Sequence, residues 1–365
     1  MYFETLIFPL FFGFFLTIVF TYFVIKIAKK FDIVDKPRDR HIHKNITPLL
    51  GGVAIALSFL FIVLFYFLFN DGIPGDYIKD KRLFGVIFGV VVLLFGGILD
   101  DKFNLKPKYQ ILFPIISIIV VIASGVGVNY ITNPFGPGYL RIDQIKIHLF
   151  TIYNTPAILT LFADLFTFIW LLGTTYTTKI LDGVDGLVTG LTAIGFLILG
   201  FLSIGNIVHQ QDTAILCFII SGCYLGFLLF NFNPAKIFLG ESGSTMAGFL
   251  LGTFAIIAGG KIAITLMVLA FPIIDTLFVI FSRISNGLSP FSGDRRHLHF
   301  KLKSIGISDR GITILIYAIT LFFGGIGLMS GTKEKLIALA ILITFTIFFI
   351  SWVTKKANKN NLINV

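Results

Sequence analysis

Charge is scarce in this chain. Asp, Glu, Lys and Arg make up 13% of its 365 residues, about half the share of an ordinary soluble domain, and this excludes a water-soluble globular protein. Cysteine is nearly missing. Cys217 and Cys223 lie six apart in one apolar stretch, so neither a disulfide framework nor a cysteine metal site is on offer, and both read as small core residues. Met1-Tyr2-Phe3-Glu4 has no basic segment ahead of the first apolar run. A cleavable signal peptide would carry one, and the first span is expected to remain as an anchor. No soluble domain, internal repeat or nucleic-acid-binding motif is found, in spite of a net charge of +10; a nucleic-acid partner is not expected.

What the chain has instead is apolar length. Apolar side chains reach 56%, including 43 Phe spread through long runs, and the mean hydropathy is +0.92. A membrane span needs roughly 17–25 mostly apolar residues. Eleven segments qualify: 5–27, 48–69, 83–99, 109–128, 157–175, 187–207, 213–230, 242–259, 261–281, 311–330 and 335–354. The expectation is an all-α polytopic membrane protein, a single integral-membrane domain over 1–365. The long connection at about 129–156 holds Asn133-Pro134-Phe135-Gly136-Pro137-Gly138, a strong turn signal. The alternation from Leu140 to Ile147 after it predicts a small external β-hairpin. If the loop after the first span is cytoplasmic, 21 of the 29 Lys and Arg share that side. The positive-inside rule then places the N-terminus outside and the C-terminus inside a plasma (inner) membrane. Many of these residues serve simply as headgroup anchors.

On that topology five polar clusters fall on the cytoplasmic face. The first runs Asp35-Lys36-Pro37-Arg38-Asp39-Arg40-His41-Ile42-His43-Lys44, followed by Gly51-Gly52; it can grip phosphate or merely a lipid surface. The second is Asp100-Asp101-Lys102, with Lys106 and Lys108. An acid pair at a helix mouth is costly, and two like charges so close need a cation or a proton between them. That suits Mg²⁺-phosphate chemistry; the bland alternative is a solvated turn. In the third, Lys179-Ile180-Leu181-Asp182-Gly183-Val184-Asp185-Gly186, two acids stand three apart, each followed by glycine. The spacing is not that of an EF-hand, and a plain turn needs only one Asp-Gly.

The fourth cluster carries Asn231, Asn233 and Lys236, then Phe238-Leu239-Gly240-Glu241-Ser242-Gly243-Ser244 at the start of a span. Free N–H groups of a helix start can hold phosphate, while Glu241 can equally be a helix-cap acid. The fifth, Asp294-Arg295-Arg296-His297-Leu298-His299-Phe300, sits in a loop at about 282–310. Arginine supplies bidentate donors and histidine a tunable one, a fitting clamp for pyrophosphate; a zinc site would want more nitrogen or sulfur ligands. Asp275, inside the ninth span, pairs with Arg283 or serves helix packing.

In this order the clusters resemble the polyprenyl-phosphate N-acetylhexosamine-1-phosphate transferase family. Asp100-Asp101-x-x-x-Leu105 with Lys108 looks like its D-D-x-x-x-L element, and Asp182-Gly-Val-Asp185-Gly-Leu its D-G-x-D-G-L element. Phe238-Leu-Gly-Glu-Ser-Gly-Ser is similar to F-x-G-D-x-G-S, and His297-Leu-His299 to the histidine loop. Three positions depart from the pattern. Lys179 stands where the family usually has Asn, Glu241 where it has a Mg²⁺-binding Asp, and Phe300 where a further His is common. An ammonium cannot ligate Mg²⁺, so either the metal shell is rearranged or Lys179 meets pyrophosphate directly.

The resemblance implies transfer of a sugar 1-phosphate from a UDP-sugar to polyprenyl (undecaprenyl) phosphate, with release of UMP. The bilayer is then a partner, Mg²⁺ the cofactor with Mn²⁺ as its substitute, and a homodimer is left open. It implies that Asp100 or Asp101 deprotonates or orients the lipid phosphate and that Glu241 binds the metal. Asp182 and Phe238 would hold uracil, while Asp185, Lys179, Lys108, Arg295, His297 and His299 would meet ribose, pyrophosphate or sugar, with His43 a further candidate. The alternatives are a peptidoglycan-precursor (phospho-N-acetylmuramoyl-pentapeptide) transferase and a catalytically silent relative that binds lipid or partners. A secondary transporter would keep its acids near the midplane, whereas these cluster at span ends, apart from Asp164 and Asp275.

Overall fold

In a bilayer every backbone N–H and C=O must find its partner within the protein, so long apolar runs become helices. The computed structural model describes residues 2–36, 46–70, 72–75, 77–78, 80–133, 138–152, 155–205, 209–259, 262–285, 287 and 297–359. In chain order these form α1 (Tyr2–Lys30), β1 (Val34–Asp35), β2 (Thr47–Pro48), α2 (Gly51–Phe69), α3 (Asp80–Phe103), α4 (Pro107–Gln110) and α5 (Leu112–Ala123). Then come β3 (Tyr130–Thr132), β4 (Tyr139–Arg141), β5 (Lys146–Ile152), β6 (Thr155–Thr160) and α6 (Leu161–Leu181). The remainder is α7 (Leu187–Ile204), α8 (Gln211–Asn231), α9 (Gly240–Ile257), α10 (Ile262–Ser285), α11 (Leu298–Ser304), α12 (Asp309–Met329) and α13 (Thr332–Lys359).

This is a multi-pass membrane protein. Among the described residues, eight helices are long and apolar enough to cross a bilayer: α1, α2, α3, α7, α8, α10, α12 and α13. The other three expected spans are also helical but differ in kind. The apolar stretch Pro107–Ala123 is short. Helices α6 and α9 carry polar residues at one end, Thr174, Thr175, Thr177, Thr178 and Lys179 on one, Gly240 to Thr245 on the other. On α6 the threonines lie on the buried face, while Phe162, Leu165 and Ile169 of the same helix are exposed. Every α9 residue from Ser242 to Ile257 is buried. The outer helices show the opposite pattern, with Phe8, Phe11, Phe15, Phe23, Phe345 and Phe348 exposed, as lipid contact requires. Cys217 and Cys223 are free thiols in the core.

The long connection at about 129–156 departs from expectation. Residues 140–147 do not pair with one another; they are shared between two antiparallel hairpins. Tyr130–Thr132 pairs with Tyr139–Arg141, and Lys146–Ile152 with Thr155–Thr160. The fifth span accordingly begins at Leu161, because residues 157–160 are used as strand. Asp164 is then no mid-membrane acid: it stands in the first turn of α6 and accepts the Thr160 N–H at 2.7 Å.

A candidate active site where five segments meet

The acid pair closes α3, and its two members face different ways. Asp100 Oδ1 accepts the Leu105 N–H at 2.8 Å and Gln110 Nε2 at 2.8 Å, which fastens the turn into α4. Asp101 Oδ1 accepts the Glu241 N–H at 3.0 Å, bringing the end of α3 to the first turn of α9. Asp101 Oδ2 is buried and has no hydrogen-bond partner among the described residues. Gly240 makes that approach feasible: it has φ +73° and a Cβ there would lie 2.6 Å from Asp101 Oδ2, so an L side chain is excluded twice over.

Lys179, in the last turn of α6, points at the same place. Its Nζ lies 2.5 Å from Glu241 Oε1 and 3.2 Å from Gln110 Oε1. Gln110 thereby joins the ammonium to Asp100. Lys108, by contrast, is exposed, its ammonium 4.9 Å from the centre of the Tyr109 ring.

The loop after α6 supplies the next two acids. Asp182 follows the helix directly. Loss of solvation pushes its carboxyl up to about 8, with the carboxylates of Glu241, Asp101 and Asp185 acting in the same direction. Asp185 is committed to the framework, since its Oδ2 accepts Asn233 Nδ2 and the Ala235 N–H, each at 3.0 Å. Asn231 secures the loop from the end of α8: its Oδ1 takes the Gly186 N–H at 3.1 Å and the Thr189 hydroxyl at 2.6 Å. Phe238 is half-buried, and its backbone exchanges hydrogen bonds with Pro48 and Gly51. That seam draws the start of α2 beside the start of α9. His43 and Arg295 lie outside the described residues.

The histidine segment is held from within a span. Asp275 of α10 receives the Leu298 N–H at 2.9 Å on Oδ1, and its Oδ2 is 3.0 Å from His297 Nδ1. Asp275 therefore performs at a distance the capping that His297, the N-cap residue of α11, does not provide with its own side chain. The His297 and His299 rings stack with centroids 5.9 Å apart. His299 faces Gly183 so closely that a Cβ on Gly183 would lie 2.8 Å from Nε2. Both His299 ring nitrogens are buried without a partner among the described residues.

Burial pushes the His299 imidazole down to about 4. In an unfolded chain a histidine titrates near 6.5, so between those values the folded state binds fewer protons than the unfolded. Stability present at neutral pH is thus lost as pH falls from about 6.5 through 4, by about 3 kcal/mol in total. His299→Phe should flatten this fall. Thermal unfolding in detergent across that pH range measures it, and equal slopes in the two proteins would show that the ring is not buried neutral.

Residues 83–259 match the protein family described as glycosyl transferase family 4. Over those residues the chain is similar to that family. It is 28% identical over 337 residues to the Bacillus subtilis (strain 168) protein named "Probable undecaprenyl-phosphate N-acetylglucosaminyl 1-phosphate transferase", covering 91% of this chain and 86% of that one. It is 28% identical over 348 residues to the undecaprenyl-phosphate alpha-N-acetylglucosaminyl 1-phosphate transferase of Escherichia coli (strain K12), covering 92% and 87%. With the decaprenyl-phosphate N-acetylglucosaminephosphotransferase of Mycolicibacterium smegmatis it shares 29% identity over 336 residues, covering 82% and 76%.

The family match takes in the second and third clusters and the Phe238–Ser244 segment. Reading the sequence overlooked Gln110, and it placed Asn231 and Asn233 in the fourth cluster without giving either a role. The long-range partners of all three mark what they do. The cation expected at Glu241 is supplied, in this geometry, by Lys179. Among the described residues no group of three His, Cys, Asp or Glu is arranged to hold a metal ion.

Proposed function

We propose that this protein transfers N-acetylglucosamine 1-phosphate from UDP-N-acetylglucosamine to a polyprenyl phosphate, releasing UMP and starting a lipid-linked glycan. The observation that carries this reading is the convergence of Asp101, Lys179, Asp182, Glu241 and His299 where a membrane helix ends. One substrate is a soluble polyanion and the other keeps its phosphate at headgroup level; a site at the helix ends can meet both. A small cleft beside the site is lined by Leu93, Gly96, Phe113 and Pro114 together with Asp100, Gln110 and Glu241. The names of the relatives supply the sugar.

Phosphoryl transfer needs positioning and charge neutralisation more than covalent help from the protein. In the reading offered here, an acceptor phosphate oxygen attacks the sugar-bearing phosphorus. The bond from that phosphorus to the bridging oxygen breaks, and the electron pair leaves on UMP. Asp101, through its unpartnered Oδ2, orients the acceptor phosphate and takes its proton. Lys179 faces the pyrophosphate. Asp182 and Phe238 hold the uracil, and His299 gives its ring N–H to the donor while His297 keeps the loop in place. Asp100 and Asp185 hold the turns that carry these groups, and Lys108 and Arg295 attract the donor from solution. Mg²⁺ is the cofactor suggested by the resemblance. The donor set does not fit it, because Glu241 is already paired with Lys179, and no step is routed through a metal.

The topology proposed is eleven spans, N-terminus outside and C-terminus inside, with the site on the cytoplasmic face of the plasma (inner) membrane. One experiment tests reaction and sidedness together. Purified protein with UDP-N-acetylglucosamine and undecaprenyl phosphate should release UMP. In sealed vesicles, it should do so only when donor is added on the face corresponding to the cytoplasm. A panel of other UDP-sugars, the peptidoglycan nucleotide included, should turn over at least about tenfold more slowly. No release with any donor would favour a silent relative, and release with donor outside would reverse the topology.

A further inference from the structure

Two positions set this site apart from the pattern it otherwise follows, and the fold places them against each other. Lys179 closes α6 and Glu241 opens α9, 62 residues apart in the chain. Their charged atoms lie 2.5 Å apart, with the side chains only 22% and 17% exposed, where solvent screens a charge pair weakly. Either change alone would be awkward: an ammonium beside a bound divalent ion is repelled by it, and a longer acid displaces the oxygens that would ligate it. Together they neutralise each other. The second acceptor on Lys179 Nζ, Gln110 Oε1 at 3.2 Å, belongs to a side chain that also donates to Asp100 Oδ1 at 2.8 Å. The ammonium is thus shared between the acid that opens α9 and the acid that closes α3, a position between carboxylates that a free cation would otherwise take.

We infer that Lys179 is a tethered cation occupying the divalent-ion position at Glu241, and that transfer by this protein needs no divalent ion there. The inference rests on the transferase reading for its kinetic half. In that half, Lys179 lies against the bridging oxygen of the donor pyrophosphate as its bond to the sugar-bearing phosphorus breaks, and offsets the charge that moves onto UMP without giving up a proton. A group held in place by its own backbone requires no metal recruitment before each turnover, and an interaction that strengthens in the transition state acts on kcat. The half concerning occupancy stands on geometry alone: an ion entering at Glu241 must first displace the ammonium.

The test compares the wild type with Lys179→Asn and with the double variant Lys179→Asn/Glu241→Asp. Mn²⁺ is the probe, followed by electron paramagnetic resonance on the purified full-length protein without substrate. UMP release is measured after exhaustive chelation and then across a Mg²⁺ titration. Wild type should bind Mn²⁺ at least about tenfold more weakly than the double variant, and should keep its UMP release within about threefold after chelation. Lys179→Asn should lose about a hundredfold in kcat with a smaller change in KM, and the double variant should regain activity only with Mg²⁺. Equal Mn²⁺ affinity in wild type and double variant overturns the inference, as does wild-type activity abolished by chelation and restored by Mg²⁺. If the double variant does not fold, Mn²⁺ binding to Lys179→Asn and the chelated wild type still decide. If no protein releases UMP under any condition, the transferase reading fails, while the Mn²⁺ comparison continues to report who occupies Glu241.

Discussion

Asp101→Asn is expected to lower turnover by about a thousandfold, the range seen when a positioned general base is removed, in a protein that still folds. The substitution keeps shape, and its carbonyl oxygen can still accept the Glu241 N–H that Asp101 Oδ1 receives at 3.0 Å. What disappears is the second oxygen, buried and unpartnered, and with it the charge. A buried carboxylate oxygen left without a donor is costly to maintain unless something binds it, and the acceptor phosphate is the partner suggested here. Asp100→Asn supplies the contrast. Its carbonyl can accept both Leu105 N–H and Gln110 Nε2, as Oδ1 does now, so a loss of only about tenfold is expected. Equal losses in the two variants would return the pair to a single undivided role. Full activity in Asp101→Asn would remove it from the reaction. Melting temperatures of both variants, measured in the same detergent, separate rate effects from misfolding.

Asp275→Ala should be the most damaging change outside the cluster. The side chain is buried within α10 and accepts the Leu298 N–H on one oxygen while its other meets His297 Nδ1. Truncation leaves a buried N–H at the start of α11 without an acceptor and releases the ring of His297. Two hydrogen bonds to a carboxylate are worth about 1.5–3 kcal/mol each, so a loss of about 3 kcal/mol in stability is expected. Because α11 carries His299 against Gly183, the donor should also bind more weakly, with KM for the UDP-sugar raised at least about tenfold. Asp275→Asn retains one acceptor and should recover part of both effects. A destabilised Asp275→Ala with unchanged kinetics would mean that the histidine segment is scaffold and not site.

Asp275 also shows where reading the sequence ran out. An acid inside a span signals a function or a partner, but its partner lies 22 residues on, across a loop, and nothing in the local pattern names it. The same holds for Gln110, an uncharged residue in a four-residue helix, which becomes the link between Asp100 and Lys179 only when the fold brings the end of α6 within reach of its side chain. Asn231 reads as ordinary helix-end polarity until the loop of Asp182 and Asp185 folds over it.

By itself the sequence determined the helical membrane architecture and the five polar clusters. Both signals are local: apolar runs of bilayer length must satisfy their own backbone, and polar groups in such a chain are tolerated only where they meet water, a ligand or one another. It also marked Lys179 and Glu241 as departures from the resembling pattern. The tertiary structure decided which acid keeps a vacant oxygen, which histidine is buried and which is tethered, and that the two departures are partners. Those outcomes depend on contacts between helix ends far apart in the chain, set by how α3, α6 and α9 pack, and composition and spacing carry no record of them.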